Sequence, residues 1–146
     1  MTLAQEWVGV LLNRRAEACR EKNIDRLMSL YSPDIVYFDV LPPLQGFIGL
    51  DAVRRNFVRW FGEYDGPIAL DTRQQRIAVE DNIAFVHMLH IAKGNRHLVK
   101  AGLTETWVRS TVCCRRTNRE WLITHEHVSW PFDFNKEGGR AVMVPE

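Results

Sequence analysis

The sequence predicts an α+β domain, with three N-terminal helices packed on a strongly curved, mostly antiparallel sheet that encloses a pocket. Three observations carry this prediction. Helical periodicity is confined to the stretch before Gly66–Pro67, and strand-like runs fill the rest of the chain. The punctuation between those runs is short (Asp81-Asn82, Gly94-Asn95, Thr117-Asn118-Arg119), which forces antiparallel neighbours. Helices gathered on one side of such a sheet make an α+β domain, and long strands curl, so a cavity forms between the layers. A small-molecule pocket is the usual use of that cavity.

The first helix covers Leu3 to about Glu21. Ala4, Val8, Leu11 or Leu12, Ala18 and Cys19 fall near one stripe, with Gln5, Arg14, Glu17 and Arg20 elsewhere. Asn23 caps a second helix over residues 24–31, where Leu27, Met28 and Tyr31 share a face, and Ser32–Pro33 ends it. Residues 34–40 contain Ile35-Val36-Tyr37-Phe38 and read as a short strand. Leu41-Pro42-Pro43-Leu44-Gln45-Gly46 is a loop. A third helix over residues 51–61 presents Val53, Phe57, Trp60 and Phe61 on one face, and Gly62 ends it. Strands follow over residues 68–80, 83–93, 99–115 and 120–130. One domain is expected over residues 1–134, with a loose tail over 135–146 that holds Gly138–Gly139 and Pro145.

Composition bounds the function. A chain of 146 residues, 46% hydrophobic and 25% charged, is one globular domain that needs no disulfide or metal to fold, and it is not a disordered segment. Lys+Arg number 19 and Asp+Glu 18, so the concentrated basic excess of a nucleic-acid binder is absent. No apolar run reaches the ~18 residues of a membrane span. Gln5 and Glu6 stand where a signal peptide carries positive charge. Cys113 and Cys114 are adjacent and would point to opposite faces of a strand, and Cys19 stands apart; reduced thiols and a cytoplasmic location are expected.

The histidines carry the chemical interest. His125 and His127 share strand parity with Ile123 and Ser129, while Glu126, Val128 and Trp130 take the other face. If Phe85, His87 and Leu89 form the inward set of their strand, His87 points into the cavity and His90 away from it. Paired imidazoles on an inward face carry donors and acceptors that must be satisfied. Ligand hydrogen bonding, acid/base work near neutral pH, metal ligation by His87, His125, His127 and Asp39, and a buried hydrogen-bond network are the open readings. Asp39 shares parity with Tyr37 and precedes the Pro-Pro loop. It reads either as a general base poised among Phe38, Leu41, Leu44, Phe47 and Trp60, or as a turn former bonding to the next residues.

These residues carry a resemblance. Tyr31-Ser-Pro-Asp-Ile-Val-Tyr-Phe-Asp39, Gly46, Gly49 and the helix through Phe57 and Trp60 are similar to the front half of ketosteroid-isomerase-like and SnoaL-like proteins of the nuclear-transport-factor-2-like superfamily. The stretch from Glu120 to Asp133, with Trp121, His125, His127, Ser129, Pro131 and Phe132, resembles the closing strand of the SnoaL-like branch. The resemblance implies a cone-shaped half-barrel with a deep apolar pocket, and a homodimer packed through its sheets. It places the general-base carboxylate on Asp39. The oxyanion-hole Tyr of ketosteroid isomerase falls on Arg15, or on Arg14 if the register slips, and the second oxyanion donor falls near Val112. With both donors gone, true steroid isomerisation is not expected. The resemblance also puts His125, His127 and His87 at pocket positions.

The functional expectation is a pocket for a small apolar molecule, with Asp39, His125 and His127 as catalytic residues. Tyr37, Phe57, Trp60, Phe85, His87, Leu89, Val112, Ile123 and Ser129 are the expected lining. The reaction class is isomerisation, cyclisation or dehydration by proton transfer on a carbonyl substrate, with no cofactor and no bound metal. A non-catalytic ligand-binding or dimerisation domain, and a metal-assisted hydrolase or oxygenase, are the competing readings.

Overall fold

The computed structural model describes residues 1–97 and 105–145. Three helices come first: α1 (Leu3–Glu21), α2 (Ile24–Met28) and α3 (Leu50–Phe61), with β1 (Tyr31–Phe38) and β2 (Phe47–Ile48) between the last two. Then come β3 (Tyr64–Glu80), β4 (Ile83–Arg96), β5 (Glu105–Thr117), β6 (Glu120–Ser129), β7 (Phe132–Asp133) and β8 (Arg140–Ala141). The helix starts are written locally. Thr2 and Gln5 form a reciprocal capping box for α1, and the Asn23 side chain accepts the Arg26 N–H at the start of α2.

The sheet order is β2-β1-β6-β5-β4-β3. All neighbours are antiparallel except β1 and β6, which run parallel. The helices pack on one face of this half-open curved sheet. Val8, Leu11, Leu12 and Cys19 of α1 and Val53, Phe57 and Phe61 of α3 meet Ile68, Val86, Val112, Cys114 and Ile123 of the strands in one buried cluster.

Several expectations are corrected. The second helix stops at Met28, because the chain at Tyr31 is drawn into β1, where the Ile123 N–H donates to the Leu30 carbonyl. Pro33 lies within β1 and not at its edge; lacking an N–H, it sits where the pairing with β6 is interrupted between Tyr31 and Val36. Gly94 and Asn95 do not turn the chain but lie inside β4, with Asn95 paired to Asp65. Gly94 is needed there, since a Cβ would come within 2.9 Å of the Pro67 carbonyl oxygen. The expected strand start at Val99 lies outside the described residues. The tail after 135 is not structureless: Arg140–Ala141 pair with Phe132–Asp133, and the Trp107 N–H donates to the Met143 carbonyl.

Two face assignments reverse. On β4 the buried residues are Ala84, Val86, Met88 and His90, so Phe85 and His87 are exposed on the convex face and Leu89 is half-buried there. On β6 a bulge intervenes: Cys114 pairs with Ile123 but Cys113 with His125, leaving Thr124 as the extra residue. Simple alternation breaks there. Trp121 and Ile123 point inward before the bulge, and Glu126 and Val128 after it, so His125, His127 and Ser129 turn outward.

Candidate active site

A cavity of about 120 Å³ lies between the concave face of the sheet and the helices α1 and α3. An engineered core cavity of about 150 Å³ holds a benzene molecule, so this space suits a ligand of roughly one ring. Aromatic side chains dominate its wall: Tyr37, Phe57, Trp60, Tyr64 and Trp130. They brace one another, with the Tyr37 and Phe57 rings 5.4 Å apart edge to face and Trp60 and Tyr64 5.7 Å apart.

Asp39 lines the cavity just past the end of β1, with 13% of its side chain exposed. Its Oδ1 accepts the Val40 N–H at 2.6 Å, the self-bonding turn expected of an Asp before a loop. Its Oδ2 accepts Asn56 Nδ2–H at 2.8 Å, with Arg59 Nη2 at 3.8 Å. Each carboxylate oxygen has two lone pairs, so acceptor capacity is left on both. Arg59 is steered in turn by Asn56 Oδ1 at 3.0 Å and Glu63 at 2.6 Å, and Arg96 holds the other Glu63 oxygen at 2.7 Å. These side chains form a charge-balanced ring whose members come from the segment after β1, from α3 and the turn that follows it, and from β4.

The other polar centre is buried. Glu126 has 0% exposure and Arg15 4%. Arg15 Nη2 donates to Glu126 Oε2 at 2.6 Å, and the Tyr31 hydroxyl donates to Oε1 at 2.7 Å. Arg15 Nη1 lies 3.2 Å from His90 Nε2. Burial is the largest influence and works against the Arg15 charge, but the charge and hydrogen bond of Glu126, with Tyr31 and Cys19 beside it, together outweigh it and hold the guanidinium pKa well above its ordinary value. Burial, and then the charge of Glu126, push the Tyr31 and Tyr37 phenols well above theirs; Asp39 adds to the effect at Tyr37. Burial, and then Arg15, lower His90 well below its ordinary value, so its imidazole is neutral.

Of the expected site residues, Asp39, Tyr37, Phe57 and Trp60 line the cavity together. Val112 and Ile123 are fully buried in the core and do not line it. Phe85 (53% exposed), His87, Leu89, His125, His127 and Ser129 lie on the convex side. There His125 Nδ1 donates to the Val36 carbonyl at 2.7 Å, and Phe38 stacks edge-on against His125 and His127, with centroids 4.9 and 5.4 Å away. His125 and His127 therefore do not converge with Asp39, and no cluster of three or more metal-ligating side chains occurs among the described residues. The sequence reading did not single out Asn56, Arg59, Glu63, His90 or Glu126 as site residues, and met Arg15 only as a departure from a family pattern. One signal was available: Leu11, Arg15, Ala18 and Cys19 follow helical spacing, so Arg15 belongs to the apolar stripe and requires a buried acid.

Helices laid on a half-open, mostly antiparallel sheet around an aromatic cavity define a protein of the nuclear-transport-factor-2-like class. Within it, the chain belongs to the SnoaL-like domain family, whose sequence model matches residues 8–133. Among solved structures, it is similar to an NTF2-like protein of unknown function from Pseudomonas putida KT2440, at 27% identity and a TM-score of 0.85 over 100% of this chain and 98% of that one. It is also similar in fold to a ketosteroid isomerase-like protein from Erwinia carotovora atroseptica SCRI1043 (13% identity, TM-score 0.73, 88% of this chain and 97% of that one). A proposed scytalone dehydratase from Novosphingobium aromaticivorans DSM 12444 shares the fold at 12% identity and a TM-score of 0.72, over 97% of this chain and 85% of that one. A search of curated protein sequences gave no match. No helix among the described residues is long and apolar enough to cross a membrane.

Proposed function

We propose that the protein binds a small, largely apolar carbonyl compound and catalyses proton transfer on it, in the manner of an isomerase, cyclase or dehydratase, with Asp39 as the base. The observation that supports this reading is the Asp39 carboxylate in the wall of an aromatic cavity, fixed by Val40 N–H and Asn56 and still holding free lone pairs. Fixing the base before substrate arrives removes orientational freedom that the transition state would otherwise have to lose. The names of the ketosteroid isomerase-like and dehydratase neighbours are in line with such chemistry. Solvent-deuterium uptake into the α-positions of cyclohexanone, followed by NMR, tests it. Asp39→Asn should remove catalysed uptake, and His127→Asn should leave it unchanged. Uptake that survives Asp39→Asn rules the base out.

A second reading is a non-catalytic binding domain, favoured by the engagement of both Asp39 oxygens; ligand binding without any uptake would establish it. We also propose a homodimer packed through the convex sheet face; the exposure of Phe85, at 53%, beside His87 and Leu89 supports this reading. Phe85→Asp should convert a dimer to a monomer in sedimentation; a parent that sediments as a monomer refutes it. Three free thiols, Cys19, Cys113 and Cys114, support a cytoplasmic location.

A further inference from the structure

We propose that His90 binds the oxygen of the ligand: its Nδ1–H donates to a carbonyl at the cavity wall, so the site selects ring compounds carrying an acceptor there. The inference rests on the cavity being a ligand site, and it fills the role of oxygen-polarising group that His125 and His127 are too far outside to play.

The argument runs through the tautomer. A guanidinium has only donors, so the nitrogen facing Arg15 Nη1, His90 Nε2, must be the acceptor. A neutral imidazole with an unprotonated Nε2 carries its hydrogen on Nδ1. That Nδ1 is buried and has no hydrogen-bond partner among the described residues. Buried donors are almost always satisfied, so an orphan on a ring that borders a cavity calls for a partner supplied from outside the chain.

A second orphan stands nearby. Ser110 Oγ is buried without a partner among the described residues, on the same inner face as His90: His90 pairs with Val108 and Met88 with Ser110. Ser110 lies behind the cavity wall rather than in it, so of the two orphans only His90 borders the cavity. Arg15 acts behind the histidine as a positioning residue. It is held by Glu126 and by the Tyr31 hydroxyl, 3.3 Å from Nε, and its own donation to Nε2 polarises the ring and strengthens Nδ1–H as a donor. Negative charge that develops on a carbonyl oxygen as Asp39 removes an α-proton would meet this donor. The proton stays on His90 throughout, since the ring only shares it with the oxygen.

Cyclohexanone and methylenecyclohexane, equal in shape and differing only in the oxygen, are the probes. The parent should bind the ketone about tenfold more tightly, the value of one neutral hydrogen bond. Long-range proton–nitrogen NMR of the His90 ring should show hydrogen on Nδ1, with its resonance moved by the ketone and not by the hydrocarbon. His90→Gln, whose amide reaches the Nε2 position facing Arg15 but leaves no donor at Nδ1, should erase the preference. His90→Asn, whose amide reaches the Nδ1 position, should keep it. A preference that survives His90→Gln, a proton found on Nε2, or a resonance the ketone leaves unmoved overturns the proposal; the NMR result decides if the Gln variant fails to fold. The ketone preference should persist in Asp39→Asn. Loss of the base assignment with the preference intact leaves His90 in place, whereas failure of both probes to bind removes the cavity reading and this inference together.

Discussion

Replacing Glu126 by Gln tests the buried centre directly, because the two side chains share a shape and only the charge is lost. In the parent, one carboxylate oxygen receives Arg15 at 2.6 Å and the other receives Tyr31 at 2.7 Å, with Glu126 at 0% exposure. Removing one member of such a buried pair typically costs about 3–5 kcal/mol, since the remaining charge has neither water nor counterion. The amide oxygen of Gln retains one of the two bonds, which places the loss near the lower bound, about 3 kcal/mol. For a domain of this size that is a fall in Tm of about 6–12 °C. Calorimetry and urea unfolding at pH 7 measure it. Arg15→Met combined with Glu126→Leu should recover most of the loss, leaving a coupling of at least about 2 kcal/mol between the two sites. A Glu126→Gln variant within about 1 kcal/mol of the parent, or single effects that simply add, would refute the reasoning.

Three further outcomes follow from the same structure. His90 is kept neutral in the fold, first by burial and then by Arg15, below its ordinary value of 6.5. The unfolded chain therefore takes up a proton below that pH that the folded chain does not. Stability falls as pH drops, by up to about 1.4 kcal/mol per pH unit, and urea titrations between about pH 5 and 6.5 should show a shallower slope in His90→Gln. Gly46 has φ +77°, and a Cβ there would lie 2.5 Å from Phe38 Cδ1 and from the Tyr37 carbonyl oxygen. Gly46→Ala should lose about 2 kcal/mol or more in urea melts, and Gly49→Ala, also at positive φ but with open space around it, should lose less. Burial pushes the Cys19 and Cys114 thiols up to about 12, so a thiol titration of the native protein should count one reactive thiol, Cys113, and all three after denaturation.

Much of the architecture was legible because local signals agreed with it. The first helix was placed from its periodicity, and Gly62 marks the end of α3 where expected. The positions of Asp39 and Tyr37 beside the cavity follow from simple alternation, which runs without interruption over the last residues of β1. The histidines were misplaced for two separate physical reasons. On β4, Phe85 and Leu89 are as apolar as Val86 and Met88, so alternation cannot say which face turns inward. On β6, the extra residue at Thr124 carries no glycine or proline to announce it, yet it inverts everything after it. Glu126 was invisible for the same reason, since simple parity placed it opposite to Ile123. The parallel pairing of β1 with β6 joins residues with no turn between them, and spacing says nothing about such contacts.

The ion pair at the centre also sets the order in which the molecule can be completed. Arg15 and Glu126 are 111 positions apart, and β1 has its main strand neighbour only in β6. A chain leaving the ribosome has made α1, α3 and most of the sheet before the anion for Arg15 exists. Until then α1 cannot bury Arg15 within its apolar stripe, and the early strands have an open edge beside β1. Completion of the fold is thereby tied to β6, the last strand of the main sheet to be made, so products truncated before it should remain open and exposed to proteolysis, and nascent chains should hold their N-terminal helix in water until synthesis is nearly finished.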